Sequence, residues 1–217
     1  MIESRKLIQD LLNLQNKYAR TPRAIVTGER LQALLSRGNN IDVEDLSVRE
    51  PLIEHVGHLP IIAAYLYPHL EHKAEVNLGR TLTMISIHDI GETVTGDIMT
   101  YKKNDKDTEE ENEIARKLIS PELLPFFNEF ELRESYDAKF AKSVDAFAPF
   151  LHESDKPNLT RKRFKVHDFG SVKIEAKKRP LFIWDKTMLD MFEVIMETFR
   201  KIEQGEPTGF DSVTDLP

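Results

Sequence analysis

The sequence predicts an all-α fold, and three observations carry that expectation. Apolar residues recur at three- and four-residue spacing in several separate stretches, the period of a helix with one buried face. Proline and glycine mostly fall where those stretches stop. Alternation, the mark of a half-buried strand, is confined to the short runs 163–166 and 172–174.

In chain order, Leu7, Leu11, Leu14 and Tyr18 form the first stripe, with Ile8 and Leu12 beside it, ending before Thr21-Pro22. A short piece runs from Gly28 to Leu35 and stops at Gly38-Asn39-Asn40. Pro51 to Tyr67 is apolar and contains Gly57 and Pro60, so a kinked helix or a helix pair is expected, ending before Pro68. Residues 71–91 read as another helix, closed by Gly91 and then Gly96. The charge run 103–113 reads as a solvated loop and helix start; the helix continues to Ile119, and another begins near Pro121. Phe140, Val144, Phe147 and Leu151 mark a helix within 135–151, and Met188, Phe192, Ile195 and Phe199 mark the last one, over 181–202. Lys156 to Arg179 differs: nine Lys or Arg stand against Asp168 and Glu175, and its two alternating runs suggest a small hairpin in a basic insert. The expected organisation is one domain over 1–203, with its core in 5–152, the basic insert at 156–179, the last helix at 181–202 and a loosely held tail at 204–217.

Composition narrows the function classes. With 40% apolar and 31% charged residues, the 217-residue chain is too apolar for disorder and too polar for a membrane protein. A formal charge of −7 argues against a nucleic-acid polymer as partner. No run approaches the roughly 20 apolar residues of a membrane span. The polar, helical start does not read as a signal peptide, so a soluble, cytoplasmic protein without a membrane partner is expected. Absence of cysteine excludes disulfides, zinc ribbons and thiol catalysis.

Three polar anomalies carry the chemistry. His88-Asp89 lies on a helix whose face at Thr81, Met84 and Ile85 is mostly apolar. His88 therefore points to the core, and Asp89, about 100° round, stays close to it. Asp145 repeats the pattern among Ala141, Val144 and Ala148, with Lys142 on the wrong side to pair easily. Glu54-His55 enters the apolar segment 51–67, with His58 three residues on and a ligand candidate by spacing alone. An ionised carboxylate in such surroundings is expensive unless paired or bound to a metal. A core histidine or a distant ion pair would explain any one of these groups. One divalent ion held by His55, His88, Asp89 and Asp145 would explain them together. Two imidazoles and two carboxylates suit Mn, Co, Fe, Ni or Zn, with Mg as an alternative, better than an all-oxygen calcium site. Such an ion lowers the pKa of its water and polarises a phosphoryl group. Glu92, one turn beyond His88, stands where a general base or acid belongs. Thr95-Gly96-Asp97, where the helix ends, offers a hydroxyl, a backbone amide and a carboxylate to phosphate and sugar hydroxyls; an ordinary turn is the competing use.

The ordered set His55, His88-Asp89, Glu92, Thr95-Gly96-Asp97 and Asp145 resembles the HD-domain metal-dependent phosphohydrolases, and within them the 5′-deoxynucleotidase subgroup, over about residues 5–152. The resemblance implies an HD-domain helical bundle and one divalent metal on His55, His88, Asp89 and Asp145. It implies Glu92 as catalytic acid or base, and a nucleotide as substrate. It also implies that Arg23 binds the phosphate, with Arg20 close by, that Asp97 contacts the sugar and that Arg49 faces the site. The subgroup's aromatic residue near the phosphate arginine is missing, and the stretch 49–55 looks one residue shorter. No histidine lies between His88 and Asp145, which sets aside the two-metal cyclic-nucleotide branch. Glu92 stands where the cyclic-di-nucleotide branch has Lys, and Glu92-Thr93 where alarmone hydrolases have an acid pair. The expected activity is hydrolysis of a (deoxy)nucleoside 5′-monophosphate. Triphosphate hydrolysis and a non-catalytic metal- or nucleotide-binding module are the alternatives, with a metal-free helical interaction protein behind them. His167-Asp168 lacks the helical setting and is read as incidental. The basic segment serves either as a flap over the phosphates or as a solvated loop balancing an acidic body. The stripes on the terminal helices serve either the core or a homodimer.

Overall fold

The computed structural model describes residues 2–26, 49–99, 102–155 and 157–209. The expected helix at 28–35, its stop at 38–40 and the end of the tail lie outside them. Helix α1 (Ile2–Arg20) leads into strand β1 (Pro22–Val26). Strand β1 pairs antiparallel with β2 (Arg49–Pro51), Pro22 opposite Pro51 and Val26 opposite Arg49. Helices α2 (Leu52–Leu66), α3 (Leu78–Ile87), the one-turn α4 (Glu92–Thr95), α5 (Asp105–Leu118), α6 (Leu124–Leu132) and α7 (Tyr136–Asp155) follow. Helices α8 (Pro157–His167), α9 (Ser171–Lys178) and α10 (Lys186–Gln204) complete the chain. The architecture is all-α apart from the small two-stranded ribbon. No helix among the described residues is long and apolar enough to cross a membrane.

Local chemistry sets the boundaries. Leu52 to Leu66 forms one helix rather than a pair, with Pro60 inside it. The helix expected over 71–91 starts only at Leu78, because the Asn77 side chain caps it by accepting from the Arg80 amide at 3.1 Å. The charge run becomes α5 because Asn104 and Asp107 form a reciprocal capping box, and acids in its first turn favour the helix dipole. The last helix starts at Lys186 rather than 181, capped by Asp185, whose carboxylate accepts from the amides of Thr187 and Met188 at 3.0 and 3.2 Å. It ends in a Schellman turn at Gly205, where φ is +77° and the Glu206 amide donates to the Lys201 carbonyl at 2.9 Å.

The expected hairpin in the basic segment is corrected to two helices, α8 and α9. Runs of four and three alternating residues are too short to set a period. Pro157 suits a first helical position, Asp168 at φ +48° stops α8, and these helices bury the apolar side chains of Phe164 and Ile174 beside Thr160 and Ser171.

The main core packs α2, α3, α7 and α10 through Leu59, Ala63, Met84, Ile85, Val144, Phe147, Met188, Phe192 and Phe199. Ala138, Ala141 and Ala148 on α7 are fully or almost fully buried, which lets neighbouring helices approach closely. Phe182 and Phe192 stack at 4.7 Å between ring centres. Phe192→Ala is expected to cost about 3–5 kcal/mol by opening a cavity in this stack. Urea unfolding would read it as a lower midpoint at unchanged slope. A second cluster of Tyr18, Leu52, Ile90, Ala115, Ile119 and Phe127 joins α1, α2, α5 and α6 around Ile90 of the 88–92 turn. Of the first stripe, only Tyr18 is buried; Leu7, Ile8, Leu11, Leu12 and Leu14 are exposed. Leu151 is likewise exposed, while Phe140, Val144 and Phe147 of its stripe are buried.

Candidate metal centre and active-site cavity

His55 on α2, His88 just beyond α3 and Asp145 in the middle of α7 each bring one donor atom to within 4.8 Å of the other two, and Asp89 stands beside them. The Asp145 Oδ1 lies 3.3 Å from His55 Nε2 and 3.4 Å from His88 Nε2. Asp89 turns a different oxygen to each imidazole, with Oδ1 at 2.9 Å from His88 Nε2 and Oδ2 at 3.5 Å from His55 Nε2. Donors about 2.1 Å from one ion stand about 3.0–3.4 Å apart in octahedral or tetrahedral order, which these separations match.

The hydrogen bonding sharpens the point. His88 Nδ1 is 3.0 Å from the Ile85 carbonyl, an acceptor, so Nδ1 carries the proton and the Nε2 lone pair turns toward the carboxylates. The Nε2 atoms of both His55 and His88 are buried with no hydrogen-bond partner. Burial, followed by Arg23, pushes His55 below its ordinary pKa, so it too presents a lone pair. Lone pairs facing carboxylate oxygens at these distances call for a cation between them. A proton on His88 Nε2 answers the same demand, and a bound ion would displace it: burial pushes the pKa down, but Asp89 and Asp145 outweigh it and raise it to about 10. Burial alone would raise Asp145; Lys142 and His88 overcome it and hold that carboxyl well below the usual range. This donor set of two imidazoles and two carboxylates fits a divalent ion.

Arg23 on β1 lies beside this centre. Its Nη1 donates to Asp89 Oδ2 at 3.0 Å and to Glu92 Oε2 at 3.4 Å, and its Nε lies 3.3 Å from Asp97 Oδ2. These three acids outweigh burial and raise its already high pKa, so the guanidinium stays charged. Glu92, at the start of α4, is 5% exposed. Burial, then the charges of Asp89 and Asp97, push its carboxyl well above the usual range against the pull of Arg23. Two glycines place it. A Cβ on Gly91 would meet the Glu111 carbonyl oxygen at 2.5 Å, so α5 can approach only a residue without a side chain. Gly96, at φ +78°, takes a conformation that returns Asp97 toward Arg23.

A cavity of about 340 Å³ opens over these groups, lined by Arg23, His88, Asp89, Glu92, Asp97 and Asp145. Its other wall carries Lys103, Lys142, Lys177 and Lys178. Thr95 and Arg49 do not line it. Thr95 spends its hydroxyl on the backbone of Gly91 and Gly96, and Arg49 sits on β2 opposite β1. His58 points to another cluster, described below. His167 and Asp168 stay remote from the centre, with Asp168 exposed and paired to Lys173.

Sequence reasoning singled out none of these four lysines for the site, although a flap over the phosphates was one of its two readings of the basic segment. Lys142 reaches Asp145 at 3.3 Å, contrary to the expectation that it lies on the wrong side. An i, i+3 spacing and a long flexible stem are enough. Lys177 and Lys178 come from α9, so the basic segment supplies one side of the cavity. Burial pulls Lys178 down to about 8, with Lys142, Lys177 and Arg23 adding to it against Asp145. Tyr18 was read only as part of an apolar stripe. Burial, then Asp89 and Glu92, raise its phenol pKa, which therefore stays protonated beside them.

Among known proteins, residues 42–180 match the family model of the HD domain. The 5′-deoxynucleotidase HDDC2 of mouse is 29% identical over 103 residues, covering 43% of this chain and 52% of that protein. The cattle protein of the same name is 26% identical over 129 residues, covering 55% and 60%. The match thus spans only a little over half of these relatives' length. A crystal structure described as a predicted metal-dependent phosphohydrolase from Magnetospirillum magnetotacticum MS-1 superposes with a TM-score of 0.69 at 23% identity, covering 93% of this chain and 97% of that one. A conserved hypothetical protein from Pyrococcus furiosus gives a TM-score of 0.53 at 20% identity, covering 90% and 98%. These two likenesses concern the fold. The family model spans well over half of the sequence, and the chain belongs to the HD domain family.

Proposed function

We propose that this protein is a metal-dependent phosphohydrolase that removes the phosphate from a (deoxy)nucleoside 5′-monophosphate. The observation that carries the reading is the buried pair of imidazole Nε2 atoms without hydrogen-bond partners, set against two carboxylates. His55, His88, Asp89 and Asp145 would hold the ion, drawn from Mn, Co, Fe, Ni or Zn, with Mg as an alternative. Such an ion supplies Lewis acidity: it polarises a phosphoryl oxygen and acidifies water. The names of the HDDC2 relatives support the nucleotide class.

The chain's own residues do the remaining work. Arg23 and the lysines at 142, 177 and 178 neutralise the phosphoryl oxygens, whose charge is spread most widely in the transition state. Water attacks phosphorus as the bond to the 5′-oxygen breaks; Glu92, protonated by its surroundings, gives its proton to the departing oxygen, is charged beside Arg23, and regains a proton from the water consumed. Asp97 accepts from a sugar hydroxyl while Arg23 holds its other side. Arg49 and Thr95 act by position: Arg49 through the strand that carries Arg23, and Thr95 by closing the turn before Gly96.

The test is phosphate release from a panel of nucleoside mono- and triphosphates with Mn, Co and Mg supplied in turn. Release from monophosphates with a transition metal is expected; silence across the whole panel overturns the reading. Triphosphate hydrolysis stays as a second reading because four lysines, Lys103, Lys142, Lys177 and Lys178, line the cavity.

Lys178 yields a pH-dependent expectation. An ammonium with a pKa of about 8 is charged below that pH and neutral above it. The KM for a phosphorylated substrate should therefore rise as pH climbs through 8. Lys178→Arg, charged throughout, should flatten that rise. An unchanged KM profile in the variant would remove Lys178 from the phosphate site.

A further inference from the structure

We propose that Glu50, His58 and His152 form a second transition-metal site, separate from the one above and independent of the hydrolytic reading. Glu50 sits on β2, His58 on α2 and His152 on α7. The two histidines follow His55 by three residues and Asp145 by seven, about one and two helical turns further along the same two helices. The packing that brings His55 to Asp145 thus brings His58 to His152.

The geometry suits an ion. One donor atom from each of the three residues lies within 4.8 Å of the other two. His58 Nδ1 is 3.4 Å from Glu50 Oε1, about the separation of two donors held 2.1 Å from a tetrahedral ion. His152 Nε2 stands 3.9 Å from the same oxygen and needs to close by only a fraction of an ångström. The imidazoles lie 5.4 Å apart between ring centres and tilt by 42°. Glu50 is 1% exposed, so its carboxylate is fixed inside the protein where β2 meets the two helices. The His58 side chain, by contrast, is 44% exposed, so an ion has a way in and water can fill its remaining positions.

Two imidazoles and one carboxylate select zinc, nickel, cobalt or ferrous iron over calcium or magnesium, which want more oxygen donors. An ion there would clip β2 to α2 and α7 and hold the strand pair that carries Arg23. Its role is therefore structural, and its loss should show in stability before it shows in turnover.

The experiment strips the whole protein with a chelator, reloads it with cobalt or zinc, removes excess ion by dialysis and counts bound metal per chain. The double variant His58→Gln/His152→Gln should hold one ion fewer than the parent. Its melting temperature should no longer rise with the metal increment that this ion gives the parent. His152→Gln alone should weaken that one class of site at least tenfold. Equal stoichiometry in parent and double variant overturns the proposal. Asp145→Ala runs alongside and keeps the two centres apart. If it loses an ion while the double variant loses none, only the first site exists. If the double variant loses one and Asp145→Ala none, only the second does.

Discussion

Asp145→Ala is expected to abolish both ion binding at the catalytic centre and phosphate release. One oxygen of this residue stands 3.3 and 3.4 Å from the imidazoles of His55 and His88, so a single atom bridges them, where Asp89 uses a separate oxygen for each. Truncation leaves two imidazoles and Asp89, and frees Lys142 to move in beside them. A lost ligand removes polarisation worth several kcal/mol at the transition state, so turnover should fall by roughly 10³-fold or more. Metal content and phosphate release, measured on one preparation, read both effects. Circular dichroism checks that α7 is intact, and Asp145→Asn, which keeps the volume, guards against collapse of the site. A variant that keeps its ion at parental affinity would dismantle the centre as described.

Glu92→Gln separates proton transfer from metal binding. The amide keeps the shape and the neighbourhood of Arg23 but has no acidic proton. Turnover should drop by roughly 10²–10⁴, the usual span for a lost general acid or base, with metal content unchanged. The pH profile gives the sign. Burial and the charges of Asp89 and Asp97 raise the carboxyl, so the acid form is present at low pH and disappears as pH rises through its elevated pKa. The parent should therefore lose kcat on the alkaline side, and Glu92→Gln should lose that dependence. The effect lies in kcat, whereas that of Lys178 lies in KM, so one pH series tells them apart. Parental turnover in Glu92→Gln would sink the assigned role.

Much of this was readable from residue order. The helices announced themselves wherever apolar spacing was long, as in α7 and α10, because burial of one face imposes its period over many residues. Capping chemistry moved their ends, as Asn77 and Asp185 show. The four ligand candidates stood out because acids and imidazoles sat on apolar faces, a local conflict visible without coordinates. The basic segment was harder. Phe164 and Ile174 are too far apart to mark a period, and the charges between them hid two helices that docking against α7 and α10 stabilises. Lys142, Lys177 and Lys178 looked like solvated charges because nothing local says that a lysine borders a cavity. The nearness of His58, His152 and Glu50 depends on contacts between residues a hundred positions apart, and no spacing rule spans that distance. The exposed leucines of α1 show the converse: periodicity marks a face but not what covers it.

Gly91 gives the cavity a division of labour. Because α5 presses against a position that tolerates no side chain, the turn carrying His88 through Glu92 has little freedom to vary. Lys177 and Lys178 belong to a short helix that provides none of the four ligand candidates. Remodelling toward a longer or shorter phosphate chain would therefore proceed by exchanging residues on α9, with the reactive machinery left untouched.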